Sequence, residues 1–339
     1  MDEDEIMRGD GSLNRGVRAF VQETGREKYK KLLEAEMAVI RDKSTGLLRE
    51  DLAQKRRCPL CGADDYRVAF IKEGFRFLKC NKCSFFYVNP ILNEAALYKA
   101  YEGEASNDAF FEVYLSNTQQ SFDRAGFERV LKHLDLLNKP QSKKIMDVGC
   151  SFGHFLKVAQ ERGWDDIGVD LNEKAVDYAN NVVKVKVLKC LLADAKFPPD
   201  SFDVVTLWNV LEHVPDPRSL VKDSHRLLKK GGILFIETPN IDSLATRIMH
   251  EKCITFGGRN HINYFSKKTV SRMLEEEGFE LVDYTTVISE LNTVINHLNY
   301  DEPYSGDAQM DLPLSKETLA KLIYRHNLGY RLNAFARKK

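Results

Sequence analysis

Lys144-Ile145-Met146-Asp147-Val148-Gly149-Cys150-Ser151-Phe152-Gly153-His154 decides how the rest of the chain is read. An apolar run, Ile145 to Val148, stops at Gly149. After Gly153 the apolar residues Phe155, Leu156, Val158 and Ala159 return at helical spacing. The pattern predicts a strand, a tight turn and a helix. Glycine lets backbone approach a ligand because it lacks a Cβ. The free N–H groups of the new helix start then face whatever lies over the turn.

One βα unit later, Asp166-Ile167-Gly168-Val169-Asp170 is a second apolar run, and it ends on an acid. An acid at the tip of a second strand is placed to accept hydrogen bonds from a ribose diol. A nicotinamide dinucleotide would need G-x-G-x-x-G to admit its pyrophosphate. Here the order is Asp-x-Gly-x-x-x-Gly, with Phe152 in the way. A nucleoside without phosphates fits better.

Four segments now stand in one register: Asp147 to Gly153; Gly168-Val-Asp170; Phe202 to Pro217, which contains Trp208-Asn-Val-Leu-Glu212-His213; and Leu227 to Asn240. In order and spacing, from about Ile145 to Phe279, they resemble the class I S-adenosylmethionine-dependent methyltransferases. Ser151 departs from the family's usual middle glycine. The resemblance implies a Rossmann-like α/β fold with a seven-stranded sheet and S-adenosyl-L-methionine as cofactor. It implies that Asp147, Gly149, Cys150, Ser151, Gly153, Asp170, Leu171, Asp194, Ala195 and Asn209 line the cofactor. Asp194 would accept from the adenine amino group, and Ala195 would offer its N–H. Glu212 and His213 look like the pair in ubiquinone-pathway and sugar O-methyltransferases. Some relatives hold a divalent metal in a Glu-x-x-Glu-His cluster; here Asn209 stands at the first Glu. The Asn/Asp-Pro-Pro-aromatic motif of nucleic-acid amino-methyltransferases and the Pro-Cys of cytosine-C5 enzymes are both absent from this position.

Composition is that of an ordinary globular protein, with 339 residues, 43% hydrophobic and 29% charged. Lys+Arg and Asp+Glu are both 50, so no net basic charge exists to drive phosphate-backbone binding. No apolar stretch approaches bilayer-spanning length, and the acidic start lacks a signal-peptide core. A cytoplasmic protein is expected, with its seven cysteines reduced or metal-bound.

Residues 1–55 read as a disordered tail of about fifteen residues followed by two or three amphipathic helices, suited to packing or to homodimer formation. Residues 56–90 hold Cys58-Pro-Leu-Cys61-Gly62 and Cys80-Asn-Lys-Cys83, eighteen residues apart, with hairpin-like alternation between them. Two C-x-x-C knuckles at this spacing predict a zinc ribbon holding structural Zn2+ through four thiolates. Residues 91–140 read as a helical lid and linker, with helices near Glu94–Tyr101 and Ala109–Leu137, candidate lid residues Tyr98, Tyr101 and Tyr114, and a linker at Asn138–Lys143. Residues 141–339 read as the methyltransferase core. Strands and helices alternate there, which predicts a parallel sheet with its ligand at the strand carboxyl ends. Two insertions interrupt it, 240–266 and 290–325, and the second holds one helix near 315–325. Phe279–Ile288 reads as a sixth strand, and Arg331–Ala336 as an antiparallel closing strand.

His213 is a base candidate because its ordinary pKa is near neutrality. His261, in the long segment after Asn240, is the second. Arg247 and Arg259 could grip an anionic acceptor. These readings favour methyl transfer to a hydroxyl of a small-molecule acceptor, a sugar or glycan, nucleotide-linked or otherwise anionic, or a secondary metabolite. The rivals are a sugar C-methyltransferase, an RNA methyltransferase that grips RNA with the ribbon, and a non-enzymatic scaffold.

Overall fold

The computed structural model describes residues 15–137 except 103–104, and 142–339 except 301, 305, 309 and 311; the side chains of 100–102 are not described. The predicted tail, most of the 138–143 linker and the Tyr101 side chain therefore lie outside the described residues.

Thirteen strands occur among the described residues: β1 Ala53–Gln54, β2 Tyr66–Lys72, β3 Phe75–Cys80, β4 Phe86–Val88, β5 Ile91–Leu92, β6 Lys144–Val148, β7 Asp165–Asp170, β8 Val187–Lys189, β9 Phe202–Trp208, β10 Leu228–Pro239, β11 Asn263–Tyr264, β12 Phe279–Val287 and β13 Arg331–Lys338. Seven form one sheet in the order β12-β13-β10-β9-β6-β7-β8. Neighbours from β10 through β8 run parallel, and β13 lies antiparallel between β10 and β12. This is the Rossmann-like sheet and antiparallel closing strand that the sequence predicts. The central strands are buried on both faces, so each reads as an unbroken apolar run.

Successive side chains point to opposite faces, and the two cores follow that rule. Ile145, Val204, Ile233, Phe235 and Phe335 pack against Val130, Leu131 and Leu134 of the helix Asn117–Leu137 and against Phe155 and Val158 of the helix His154–Glu161. Met146, Val205, Leu234 and Ala334 face the helices Pro217–Leu227 and Lys267–Glu276 and the cysteine-bearing segment. Asp216 caps the first of these two helices, with Pro217 at its first position. Ser266 and Thr269 close a reciprocal capping box on the second, a motif worth about 1 kcal/mol.

β2, β3 and β4 form an antiparallel sheet that β11 extends. The expected hairpin is present. Its fourth strand comes from 175 residues further along, from the long segment between Asn240 and Ser266. A third core of Phe75, Phe77, Phe256, Met249 and Tyr264 fills the space between this sheet and the helix Leu244–Met249.

Three expected helices differ. The N-terminal region holds the helices Val17–Glu23 and Arg26–Ile40, but the apolar residues near Leu52 enter only a 3-10 turn, Glu50–Leu52. The helix expected over Ala109–Leu137 is two, Ala105–Leu115 and Asn117–Leu137. The break falls at Ser116, whose Oγ donates to Val113 O at 2.7 Å and accepts from Gln119 N at 3.3 Å, so it ends one helix and caps the next. The insertion 290–325 holds two helices, Leu291–Asn299 and Lys316–Arg325. No helix among the described residues is long and apolar enough to cross a membrane.

Candidate functional site

The carboxyl ends of β6, β7, β8, β9 and β10 lie side by side, and the strand order reverses between β6 and β9, where ligands collect in open α/β sheets. Gly149 and Gly153 both take the left-handed conformation, with φ of 69° and 74°. A Cβ at Gly149 would meet Val210 Cγ2 at 2.7 Å, and one at Gly153 would meet Val185 Cγ2 at 2.5 Å. The turn is therefore packed against the loop after β9 on one side and the approach to β8 on the other.

Beneath the turn, Asp147 is buried and its Oδ1 accepts from Thr206 Oγ1 at 2.7 Å. Burial pushes its pKa up to about 8, against the pull of that hydrogen bond, and the nearby Asp170 charge adds to the rise. Asp170 ends β7. Its Oδ2 accepts from Ser151 N and its Oδ1 from Asn172 N, both at 2.8 Å. Burial raises its pKa, while those backbone donors oppose the rise. A carboxylate oxygen has two lone pairs, so each oxygen retains accepting capacity. Leu171 is exposed beside it.

Cys150 is turned into the core, against Leu156 and under Gly168. Its N–H donates to Val169 O and its carbonyl accepts from Gly153 N. Its part is internal bracing of the turn. Phe152 closes the turn from above, with ring centroids 5.1 Å from Phe111 and 6.4 Å from Tyr114. Those two belong to the helix Ala105–Leu115, which thereby covers the turn. Tyr98 is exposed and takes no part in this contact. Asp194 is exposed, and the Ala195 N–H, expected to point at an adenine, donates back to Leu191 O at 3.1 Å. Asn209 turns its side-chain amide onto Glu237 Oε1 at 3.1 Å.

The loop after β9 carries Glu212 and His213, and the segment before β11 carries His261. The structure brings all three together. Glu212 is 1% exposed; Oε2 accepts from Thr238 Oγ1 at 2.9 Å, and Oε1 has no hydrogen-bond partner among the described residues. His213 Nε2 lies 3.9 Å from that oxygen. His213 Nδ1 sits 2.9 Å from Asn260 O, and His261 Nδ1 sits 2.9 Å from Thr255 O. A carbonyl can only accept, so each Nδ1 carries the proton and each Nε2 keeps its lone pair. Burial lowers both histidines to about 4, so they are neutral at pH 7; for His213 the hydrogen bond to Asn260 opposes this, and for His261 the proximity of His213 adds to it. Burial raises the Glu212 carboxyl. One donor atom from each residue lies within 4.8 Å of the others, an arrangement that could hold a metal ion.

Sequence reasoning did not single out the residues that fix this geometry. Ile262 N and Asn263 N both donate to Glu212 O, at 2.7 and 3.2 Å. Asn263 Nδ2 donates to Leu211 O and Val214 O, at 2.9 and 2.7 Å. Arg331 pairs with Glu237 at 2.8 Å. Of the two arginines expected to grip an anion, exposed Arg247 lies against Asp242 and buried Arg259 against Glu36 at 3.2 Å. A cavity of about 360 Å3 lined by Phe70, Phe86, Phe256, Arg247 and His250 takes in one of these two arginines, Arg247, but none of the predicted cofactor, base or zinc residues.

The four knuckle cysteines gather into a second cluster, with all Sγ atoms within 4.8 Å. Cys58 and Cys83 are 3.5 Å apart, and Cys61 and Cys80 are 3.6 Å apart. Zinc–sulfur bonds of about 2.3 Å at tetrahedral angles put sulfurs about 3.8 Å apart, so the donor set suits such an ion. Each knuckle is followed by a left-handed residue, Gly62 or Ser84. The two turns thereby present their thiols alike.

A family model described as a methyltransferase domain matches residues 120–284. A ubiquinone biosynthesis O-methyltransferase of Thiobacillus denitrificans is 31% identical over 183 residues, which cover 50% of this chain and 79% of that relative. The chain belongs to the class I S-adenosylmethionine-dependent methyltransferases. A relative of the same name from Coxiella burnetii is 28% identical over 172 residues, 46% of this chain and 72% of the relative. Among solved structures, a SAM-dependent methyltransferase from Archaeoglobus fulgidus overlays 65% of this chain and 94% of its own, with 22% identity and a TM-score of 0.45. As a class I methyltransferase, the protein takes S-adenosylmethionine as its cofactor.

Proposed function

We propose that this methyltransferase transfers the methyl group to a hydroxyl oxygen of a small-molecule acceptor, a sugar or glycan hydroxyl or that of a secondary metabolite. The observation that carries this reading is the Glu212–His213–His261 cluster, in which one donor atom of each residue lies within 4.8 Å of the others and whose β9 loop packs through Val210 against Gly149. The O-methyltransferase names of the relatives support an oxygen acceptor.

In this reading the turn Gly149–Gly153 passes under the cofactor and Asp170 receives the ribose hydroxyls. Leu171, Asp194, Ala195 and Asn209 border the rest of the nucleoside, and Asp147 supports the turn from below. The cofactor supplies a sulfonium-borne methyl. The protein supplies alignment and a proton acceptor. The Nε2 of His213 or His261 takes the hydroxyl proton, and Glu212 steadies the resulting imidazolium across the 3.9 Å gap. Cys58, Cys61, Cys80 and Cys83 hold a structural zinc ion, within a ribbon spanning 56–90. The helix Ala105–Leu115 roofs the core at Phe152, and the helix Arg26–Ile40 packs on it through Tyr29 and Phe110.

A second reading of the cluster is favoured by one observation, the partnerless buried oxygen of Glu212. With both Nδ1 atoms held by carbonyls, the three remaining donors form a two-histidine, one-carboxylate set that suits a divalent ion. Such an ion would bind the acceptor oxygen in place of the imidazole.

The test is a screen with methyl-labelled S-adenosylmethionine against nucleotide sugars, free glycans and phenolic hydroxyl compounds, with the product linkage read by mass spectrometry. A methyl ether, lost in His213→Gln or His261→Gln, supports the reading. A methylamine or C-methyl product contradicts it, and RNA methylation with steep salt dependence would favour the RNA rival.

A further inference from the structure

Arg56, two residues before the first knuckle cysteine, reaches across to the loops that carry the histidines. Its Nε donates to Val88 O at 3.1 Å, its Nη1 to Pro215 O at 3.1 Å and its Nη2 to Ile262 O at 2.6 Å. These carbonyls belong to three segments: β4, the loop two residues after His213, and the segment one residue after His261. The guanidinium lies over the Tyr87 ring, 5.7 Å from its centroid, and the Arg56 N–H donates to Asn89 Oδ1 at 2.9 Å. Burial lowers Arg56 to about 10, which leaves it charged at neutral pH.

We propose that Arg56 is a positioning residue, a staple that sets the distance between His213 and His261 and holds the Nε2 of His213 beside Glu212. The contact it braces is the one that defines the cluster. His213 Nδ1 rests on Asn260 O, two residues before Ile262, and the ring centroids of His213 and His261 are 4.9 Å apart. Pro215 and Ile262 flank those groups on the two strands of chain that must stay together. Arginine suits this task because its planar fork carries five donors in fixed directions. A lysine ammonium is a point donor on a flexible stem and cannot hold three carbonyls in one plane. The staple also couples the cysteine sheet to the site: Ile262 O accepts from Val88 N at 2.9 Å as well as from Arg56.

This inference rests on the proposed role of the histidine cluster, but its test needs no acceptor. Nitrogen-15-labelled histidine reports each Nδ1–H in proton–nitrogen spectra, and His213→Gln and His261→Gln identify the two signals by their loss. In the wild type both are expected as carbonyl-bonded, slowly exchanging Nδ1–H groups. In Arg56→Ala both signals are expected to be lost or to average between tautomers. S-adenosylhomocysteine affinity stays at the wild-type value, because the glycine turn and Asp170 make no contact with Arg56. Added methylguanidinium restores the signals, and Arg56→Lys gives an intermediate pattern. Wild-type histidine signals in folded Arg56→Ala overturn the proposal. So does joint loss of those signals and of S-adenosylhomocysteine binding that methylguanidinium does not reverse, since that marks a merely structural role. Intact signals in a wild type that binds no S-adenosylhomocysteine would instead count against the proposed function.

Discussion

Gly153→Ala tests the local physics of the cofactor turn, and its cost can be worked from two separate terms. Gly153 has φ of 74°, and an alanine there carries the left-handed penalty of roughly 1–2 kcal/mol. The new methyl would lie 2.5 Å from Val185 Cγ2 and 3.2 Å from Ala179 Cβ, both in fully packed side chains. Overpacking of this kind costs about 1–3 kcal/mol. The sum is about 2–5 kcal/mol, a large share of the stability of an ordinary domain. Urea unfolding of wild type and variant reads it. Val185→Ala should recover the steric part and leave the backbone part. The double mutant should therefore show a coupling of about 1–3 kcal/mol relative to the two single changes. A loss under about 1 kcal/mol, or additive single mutants, would refute the packing described for this turn.

Asp147→Asn should change the pH dependence of stability. The folded carboxyl sits near 8 and the unfolded one near the ordinary value of 3.8, so between these pH values the folded state binds the extra proton. Stability from this group is complete below the unfolded pKa and is lost as pH rises towards 8. The asparagine variant should flatten the fall in urea midpoint between pH 5 and 8, while an unchanged slope contradicts the assignment. Asn263→Ala removes the donor shared by Leu211 O and Val214 O and should cost about 2–4 kcal/mol in urea melts; a neutral result would mean that water replaces it. Metal analysis should find one zinc per chain, and a strong chelator or Cys58→Ser should lower the melting temperature. Metal-free protein indifferent to chelator would sink the ribbon assignment.

The sheet was legible because β6, β7, β9 and β10 are apolar runs closed by glycine, acid or polar loops, and the two C-x-x-C pairs have a spacing that few other roles require. Glu212, His213 and His261 were legible as residue types, but their meeting was not. It depends on β11, a two-residue strand that pairs with β4 across 175 residues and carries no periodicity of its own. Arg56 was invisible for the same reason, since one member of the basic run Lys55-Arg56-Arg57 before a knuckle reads as a solvated charge until Pro215 and Ile262 are seen to converge on it. The helix Leu291–Asn299 did leave a signal in Leu291, Val294 and Ile295, spaced at three and four residues. Asn292, Asn296 and Asn299 and the following Pro303 masked it, because asparagine and proline weigh against helix in any local reading. The break at Ser116 depends on one hydroxyl choosing a backbone carbonyl, which spacing cannot show.

The most direct measurement is calorimetric titration with S-adenosylhomocysteine on wild type and Asp170→Ala. A hydrogen bond to a carboxylate contributes about 1.5–3 kcal/mol, so loss of even one should make the variant bind at least roughly 10- to 150-fold more weakly than a wild type that binds at one site per chain. Equal affinity in the two proteins would contradict the ribose contact, and a folded wild type that binds nothing would contradict the cofactor site on which the account stands.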